Sequence, residues 1–162
     1  QLEELQIPLF VAHFLGAVRA LETELGLPVL FRNTWGDGLF FVFESVADAA
    51  QFGQALVRRM SETRWAKLGL PEGMNLRVAI HAGPVYLGQD PVTGNTTCFG
   101  SNVNRAARIE PITPPGQVYV SQAFAALASA QNIPDFTCEY VGLLPLAKNF
   151  GTFPMYLLRM NE

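Results

Sequence analysis

Ile7, Val11, Phe14, Leu15, Val18, Leu21 and Leu25 recur three and four residues apart, and Gly26 stands where the helix they imply would stop. The pattern then changes period. Residues 28–34 and 39–44 read as strands, and the Gly36-Asp37-Gly38 turn between two apolar runs is a strong hairpin signal. Ser45 is placed to cap a helix over 44–64, with Asp48 three residues on and Ala49, Phe52, Leu56 and Met60 on one face. Residues 68–73 form a loop. Leu76, Val78 and Ile80 alternate in a strand over 74–81, and 84–87 is expected to pair beyond a turn at Gly83. Residues 89–95 have the Pro, Gly, Asp and Asn content of a loop. A short helix spans 101–110, closed by Pro111, and Pro114-Pro115-Gly116 turns the chain into a strand over 117–120. Ser121 caps a helix through 130, and 136–141 and 153–159 are the last strands, with Pro154 confined to a strand start or an edge.

The order helix, strand, strand, helix, strand, then a smaller αβ extension predicts an α+β fold. In it a mixed, mostly antiparallel sheet carries helices packed on it. A strand before the first helix is missing from this order. With it, the chain would read β-α-β-β-α-β, a ferredoxin-like core. At 162 residues the whole chain, 1–162, fits one domain, and its first residue, Gln1, suggests a piece of a longer polypeptide incomplete at its N-terminus.

Composition narrows the function. The chain is 49% hydrophobic and 15% charged, enough for a sizeable core. Eleven basic against fourteen acidic residues give a net charge of −3, which argues against a sequence-independent nucleic-acid binder. Cys98 and Cys138 have no ligand-like spacing, so neither a zinc site nor a disulfide framework is expected, and a reducing, cytoplasmic setting fits. No uninterrupted apolar run approaches about 18 residues, so no membrane segment is expected.

Two stretches carry chemistry. In Gly100-Ser101-Asn102-Val103-Asn104-Arg105-Ala106-Ala107-Arg108, Asn104 and Arg108 are four apart and share a helix face. An amide beside a guanidinium suits sugar hydroxyls and phosphate oxygens. Asn33-Thr34-Trp35-Gly36-Asp37-Gly38 places a carboxylate at a tight turn. Each has a plainer reading: Asp37 as a turn former, Arg108 as a solvated helix residue, Arg105 as solvated or paired with Glu110. His81 reads as a partly buried structural histidine rather than a general base, Trp35 and Phe99 as packing residues, and Cys98 as a small hydrophobe.

Taken in order, the motifs resemble the catalytic domain of class III adenylate and guanylate cyclases. They are Trp35-Gly36-Asp37-Gly38, then Leu76 through Val85, Phe99 through Glu110, Pro115 through Ser121, and a fainter Leu146-Ala147-Lys148-Asn149-Phe150-Gly151. The resemblance implies attack of a ribose 3′ hydroxyl on the α-phosphate of a nucleoside triphosphate, releasing pyrophosphate. Two divalent metal ions, Mg²⁺ or Mn²⁺, assist, at a site shared across a head-to-tail homodimer. By that resemblance Asp37 is a metal ligand, Asn104 orients the ribose, Arg108 stabilises charge at the α-phosphate and Lys148 contacts phosphates. Gly36 lies at the same substrate turn, and Asn33 and Thr97 occupy the two base-selecting positions. ATP is the expected substrate and cyclic AMP the product, in intracellular signalling with attached regulatory domains.

The chain also departs from the family pattern. The strand-end motif of the family's first metal aspartate is absent, and Asp48, Asp90 and Asp135 do not fall at its position. Asn33 and Thr97 are neutral, so they supply no charge-based choice between ATP and GTP. These departures define the alternative: a catalytically inactive cyclase-like module that dimerises or senses nucleotide. A diguanylate cyclase would need a second carboxylate at the Trp35-Gly36-Asp37-Gly38-Leu39 turn.

Overall fold

The computed structural model describes residues 2–35 and 37–161. Helix α1 (Glu4–Leu25) opens as a 3-10 turn, widens to a π-turn over Val11–Leu15 and continues as α-helix over Gly16–Leu25. Gly26 ends it with φ 62°, the left-handed cap for which glycine is suited. Its face of Phe14, Val18 and Leu21 is buried, packing with Phe52, Leu56 and Met60 of α2 (Val46–Glu62). The membrane expectation needs correction on length and composition. Glu4–Leu25 is one helix of 22 residues, with a window of mean hydropathy 1.2 that is 17% buried, long and apolar enough to cross a membrane. The second half is nonetheless built for packing: buried Glu22 pairs with Arg32 and, at 3.4 Å, with Arg19.

Strands β1 (Phe31–Trp35) and β2 (Gly38–Val42) form the expected antiparallel hairpin. Phe41 and the following Phe43 rest on Phe52, with ring centroids 4.7 and 5.4 Å away. The Ser45 side chain caps α2, accepting the Asp48 amide at 3.3 Å. A second sheet has the order β3 (Val78–Ile80), β6 (Val118–Ser121), β8 (Thr152–Met160), β7 (Phe136–Pro145). Only β3 and β6 run parallel. Ala50 and Val57 of α2 and Phe124 and Ala128 of α4 (Gln122–Ala130) pack with Val118, Val120 and Leu158 of this sheet. Helix α3 (Ser101–Ile109) buries Ile109 with Tyr119, Leu146 and Met155.

The α+β class holds, but the sheet is divided. Among the described residues β2 pairs only with β1 and β3 only with β6, so each presents an unpaired edge. Helix α2 underlies both pieces, through Phe52 to the hairpin and through Gly53, where a Cβ would meet Ile80 at 3.2 Å and Val78 at 3.3 Å. This division falls where the order of elements lacked a strand.

Residues 84–87 do not pair back across Gly83. Instead β4 (Tyr86–Gln89) pairs with β5 (Thr96–Phe99), a strand the alternation did not reveal, in a separate antiparallel ribbon. The intervening loop closes it locally, since Asp90 Oδ1 accepts the amides of Val92 and Thr93.

Candidate active site

Helix α3 presents Asn104 and Ala107 to solvent and Arg108 half-buried beside them, while Ile109 on the opposite side is fully buried. The i, i+4 spacing therefore delivers the shared face the sequence implied. Arg19, Arg32, Arg59, Arg77 and Arg159 all pair with carboxylates, but among the described residues no ion pair engages Arg108. Its guanidinium is thus available for an external anion.

The start of α3 is anchored by side chains rather than by its own cap. Gly100, the N-cap, has no side chain to bond the first turn. Asn102 does the anchoring: its Nδ2 donates to the Pro84 carbonyl at 2.7 Å, and its Oδ1 lies 2.8 Å from His81 Nε2. That amide orientation makes His81 Nε2 the donor, which leaves Nδ1, 2.7 Å from Ser121 Oγ, to accept the hydroxyl proton. Ser121 meanwhile accepts the Phe124 amide at 3.2 Å as the cap of α4. A neutral His81 satisfies every partner. Burial pushes its pKa below the ordinary 6.5, the Asn102 bond opposes that shift, and the positive charge of Arg105 adds to it. His81 is therefore a structural tie, as its alternating strand implied. Sequence reasoning missed Asn102, and the signal was Gly83: a Cβ there would overlap the Asn102 side chain.

Arg105 departs from its expected role. It neither floats in solvent nor pairs with Glu110, which bonds Arg77 at 2.7 Å. Its guanidinium carbon lies 4.2 Å from the Phe153 ring centre and 6.0 Å from that of Phe150. Just before Phe150 the turn Ala147–Asn149 packs against α3 and exposes Lys148. The turn that carries Lys148 is thus packed against the helix that carries Asn104 and Arg108.

The other candidates lie on other elements, Asp37 and Asn33 on the β1–β2 hairpin and Thr97 on β5. Asp37 is exposed at the β1–β2 turn, Gly36 beside it lies outside the described residues, and the hairpin packs mainly toward α2. Asn33 is exposed on β1, its Oδ1 accepting the Thr34 amide at 2.9 Å. Thr97 is half-buried on β5, facing Gly88 in register. Among the described residues no three His, Cys, Asp or Glu side chains gather as a metal would need for an all-protein site. A hard Mg²⁺ or Mn²⁺ ion fits the Asp37 carboxylate as one ligand, because such ions take one or two carboxylates together with substrate phosphates and water. Burial raises the pKa of the Cys98 and Cys138 thiols, which keeps them poor nucleophiles.

The family described as Adenylate and Guanylate cyclase catalytic domain matches residues 37–159. "Putative adenylate cyclase 3" of Rhizobium meliloti is 32% identical over 109 residues, 66% of this chain and 17% of that protein. A "Putative serine/threonine-protein kinase/receptor" of Acanthamoeba polyphaga mimivirus is 40% identical over 89 residues, 55% of this chain and 5% of that one. The chain therefore spans only a small part of the curated relatives it matches. Among solved structures, the guanylate cyclase domain of Catenaria anguillulae in complex with GTP superposes with TM-score 0.80 at 17% identity, covering 100% of this chain and 88% of that one. An adenylyl cyclase of P. aeruginosa gives 0.79 at 17% identity, with 100% and 86% covered. These identities speak for the fold, and the family match extends from the Asp37 turn through α3 to the last strand: the chain belongs to the adenylate and guanylate cyclase catalytic-domain family.

Proposed function

We propose that the chain cyclises a nucleoside triphosphate, ATP in the first instance, to the 3′,5′-cyclic nucleotide and pyrophosphate. The reaction would use a head-to-tail homodimer in which residues 1–162 form one catalytic domain of a longer cytoplasmic signalling protein. The observation that carries this reading is the open face of α3: Asn104 exposed, Arg108 without a carboxylate partner among the described residues, and the Lys148 turn packed alongside. In the reaction the 3′ oxygen bonds to the α-phosphorus, the bond to the pyrophosphate oxygen breaks, and the hydroxyl proton passes to solvent water. Asn104 orients the ribose. Arg108 is placed to stabilise charge growing on the α-phosphate, where a pre-positioned donor is worth most. Lys148 contacts the departing phosphates, and Asn33 and Thr97 meet the base edge. Divalent ions, when bound at Asp37 and the phosphates, would lower the cost of ionising the hydroxyl.

Dimerisation is supported by what the fold leaves uncovered. Trp35 on the hairpin is 57% exposed, and Tyr86 and Phe99, stacked on the β4–β5 ribbon, are 63% and 52% exposed. A two-stranded ribbon is marginal alone, and clustered exposed aromatics mark interaction surfaces. ATP is favoured by the kinship with the Rhizobium protein named as an adenylate cyclase.

The test is to incubate the chain with ATP or GTP and Mn²⁺ or Mg²⁺ over a range of protein concentrations. Cyclic product should appear, with specific activity rising with concentration. A folded dimer that yields no cyclic product from either nucleotide would retire the catalytic reading. The single carboxylate at the Asp37 turn favours one second reading, a nucleotide-binding module without turnover. That module would bind ATP in the same experiment and release it unchanged.

A further inference from the structure

Lys148 and Asn149 both adopt left-handed backbone, with φ 57° and 55°, and Gly151 follows at φ 120°. Neither of the first two is glycine, so the turn is strained, and such strain persists only where the surroundings over-determine it. Two anchors do this. On one side Leu146 is buried with Ile109 of α3, and its amide donates to the Gly151 carbonyl at 2.8 Å. On the other side Phe150 and Phe153 lie beneath Arg105, with the Phe153 ring at 4.2 Å, a geometry in which a guanidinium is attracted to an aromatic face. Arg105 shares α3 with Asn104 and Arg108 but points to the flank.

We infer that Arg105 is a positioning residue: it clamps Phe150 and Phe153 to α3 and so fixes where the strained turn presents the Lys148 ammonium to a polyphosphate. This rests on the cyclase reading for the identity of the polyphosphate and not for the clamp itself. Loss of the guanidinium frees the Phe150 side of the turn, and Lys148 then samples positions off the phosphate line.

The test compares Arg105→Ala, Arg105→Lys, Lys148→Ala and the Arg105→Ala/Lys148→Ala pair in the full chain. Amide hydrogen exchange at Leu146 and Phe150, whose N–H groups close the turn, is measured first and needs no catalysis. Exchange should speed up in Arg105→Ala and return toward wild type in Arg105→Lys, which keeps a cation over the ring. With ATP, Arg105→Ala and Lys148→Ala should each raise KM about tenfold, the size of one charge-assisted contact, and the pair should be no worse than Lys148→Ala alone. Unchanged exchange in Arg105→Ala, or multiplied KM effects in the pair, would overturn the assignment. If the wild-type chain makes no cyclic nucleotide, the exchange result alone decides, so a failed clamp and a failed cyclase reading are told apart.

Discussion

The helix carrying Asn104 and Arg108 is held at its start by Asn102 between His81 and Pro84, along one flank by Arg105 on Phe153, and just past its end by Glu110 on Arg77. The hairpin carrying Asp37 is held along one face, where Leu39, Phe41 and the following Phe43 pack with the cluster around Phe52, and by the Arg32–Glu22 pair. Toward its tip Trp35 and Phe40 stack on each other, 5.6 Å apart, with Trp35 open to solvent. The contrast separates two kinds of site-building. Groups that stabilise developing charge gain most from being fixed before the reaction, and α3 is fixed by its own chain. A metal-bearing carboxylate can be completed by ions, phosphates and a second subunit, and the exposed Asp37 leaves room for such partners.

The largest effects should come from cutting each half at its centre. Arg108→Ala and Asp37→Asn should each lower kcat by about 10²–10³-fold. Neither should shift the melting temperature appreciably, because neither side chain is built into the core. Mixing the two variants sharpens the comparison. In a shared-site dimer a mixed pair rebuilds one whole site from two damaged chains, so an equimolar mixture should recover about a quarter of wild-type activity. If Asp37 and Arg108 serve a site within one chain, mixing recovers nothing.

Next in size is Gly83→Ala, which attacks the brace rather than the chemistry. Its Cβ would overlap Asn102 and displace the first turn of α3. Overpacking of this kind costs about 1–3 kcal/mol, readable in urea unfolding, and kcat should fall with it while Asp37 is untouched. Trp35→Ser is the counterpart on the hairpin. Stability of the monomer should change by no more than about 0.5 kcal/mol, as for other exposed positions, while sedimentation should show weaker self-association.

What could be read from the sequence followed the same division. The hairpin, the Ser45 and Ser121 caps and the α3 face are set by residues within a few positions of one another, so spacing and turn chemistry reveal them. The β4–β5 ribbon was hidden because Tyr86-Leu87 and Cys98-Phe99 lack clean alternation and pair only once Asp90 folds the loop between them. Arg105 on Phe153 and Asn102 on His81 are contacts between distant segments, and a cation next to a catalytic candidate is indistinguishable in sequence from a solvated one. The motifs named Asp37, Asn104, Arg108 and Lys148. They did not show that the turn carrying Lys148 packs against the helix carrying Asn104 and Arg108, while Asp37 lies on a hairpin packed toward α2.

The smallest effect tests whether the brace at the start of α3 depends on a neutral His81. The folded pKa of His81 lies below its ordinary 6.5, chiefly through burial. Between those two values the unfolded chain binds more protons than the folded one, so stability rises with pH across that window. The contribution is complete above 6.5 and is lost as pH falls through the folded value. The groups around the ring are Asn102 and Arg105 from α3 and Ser121 from the β6–α4 junction. Arg105, the charged one, opposes protonation. A proton on Nδ1 would also meet a Ser121 hydroxyl that now donates to that nitrogen while it caps α4. Melting curves for wild type and His81→Gln should therefore converge as the medium is acidified below 6.5, the variant being less stable at neutral pH and lacking this titration. Parallel curves would show that His81 is not held neutral, and the rigidity of α3 would then rest on Arg105 and Glu110.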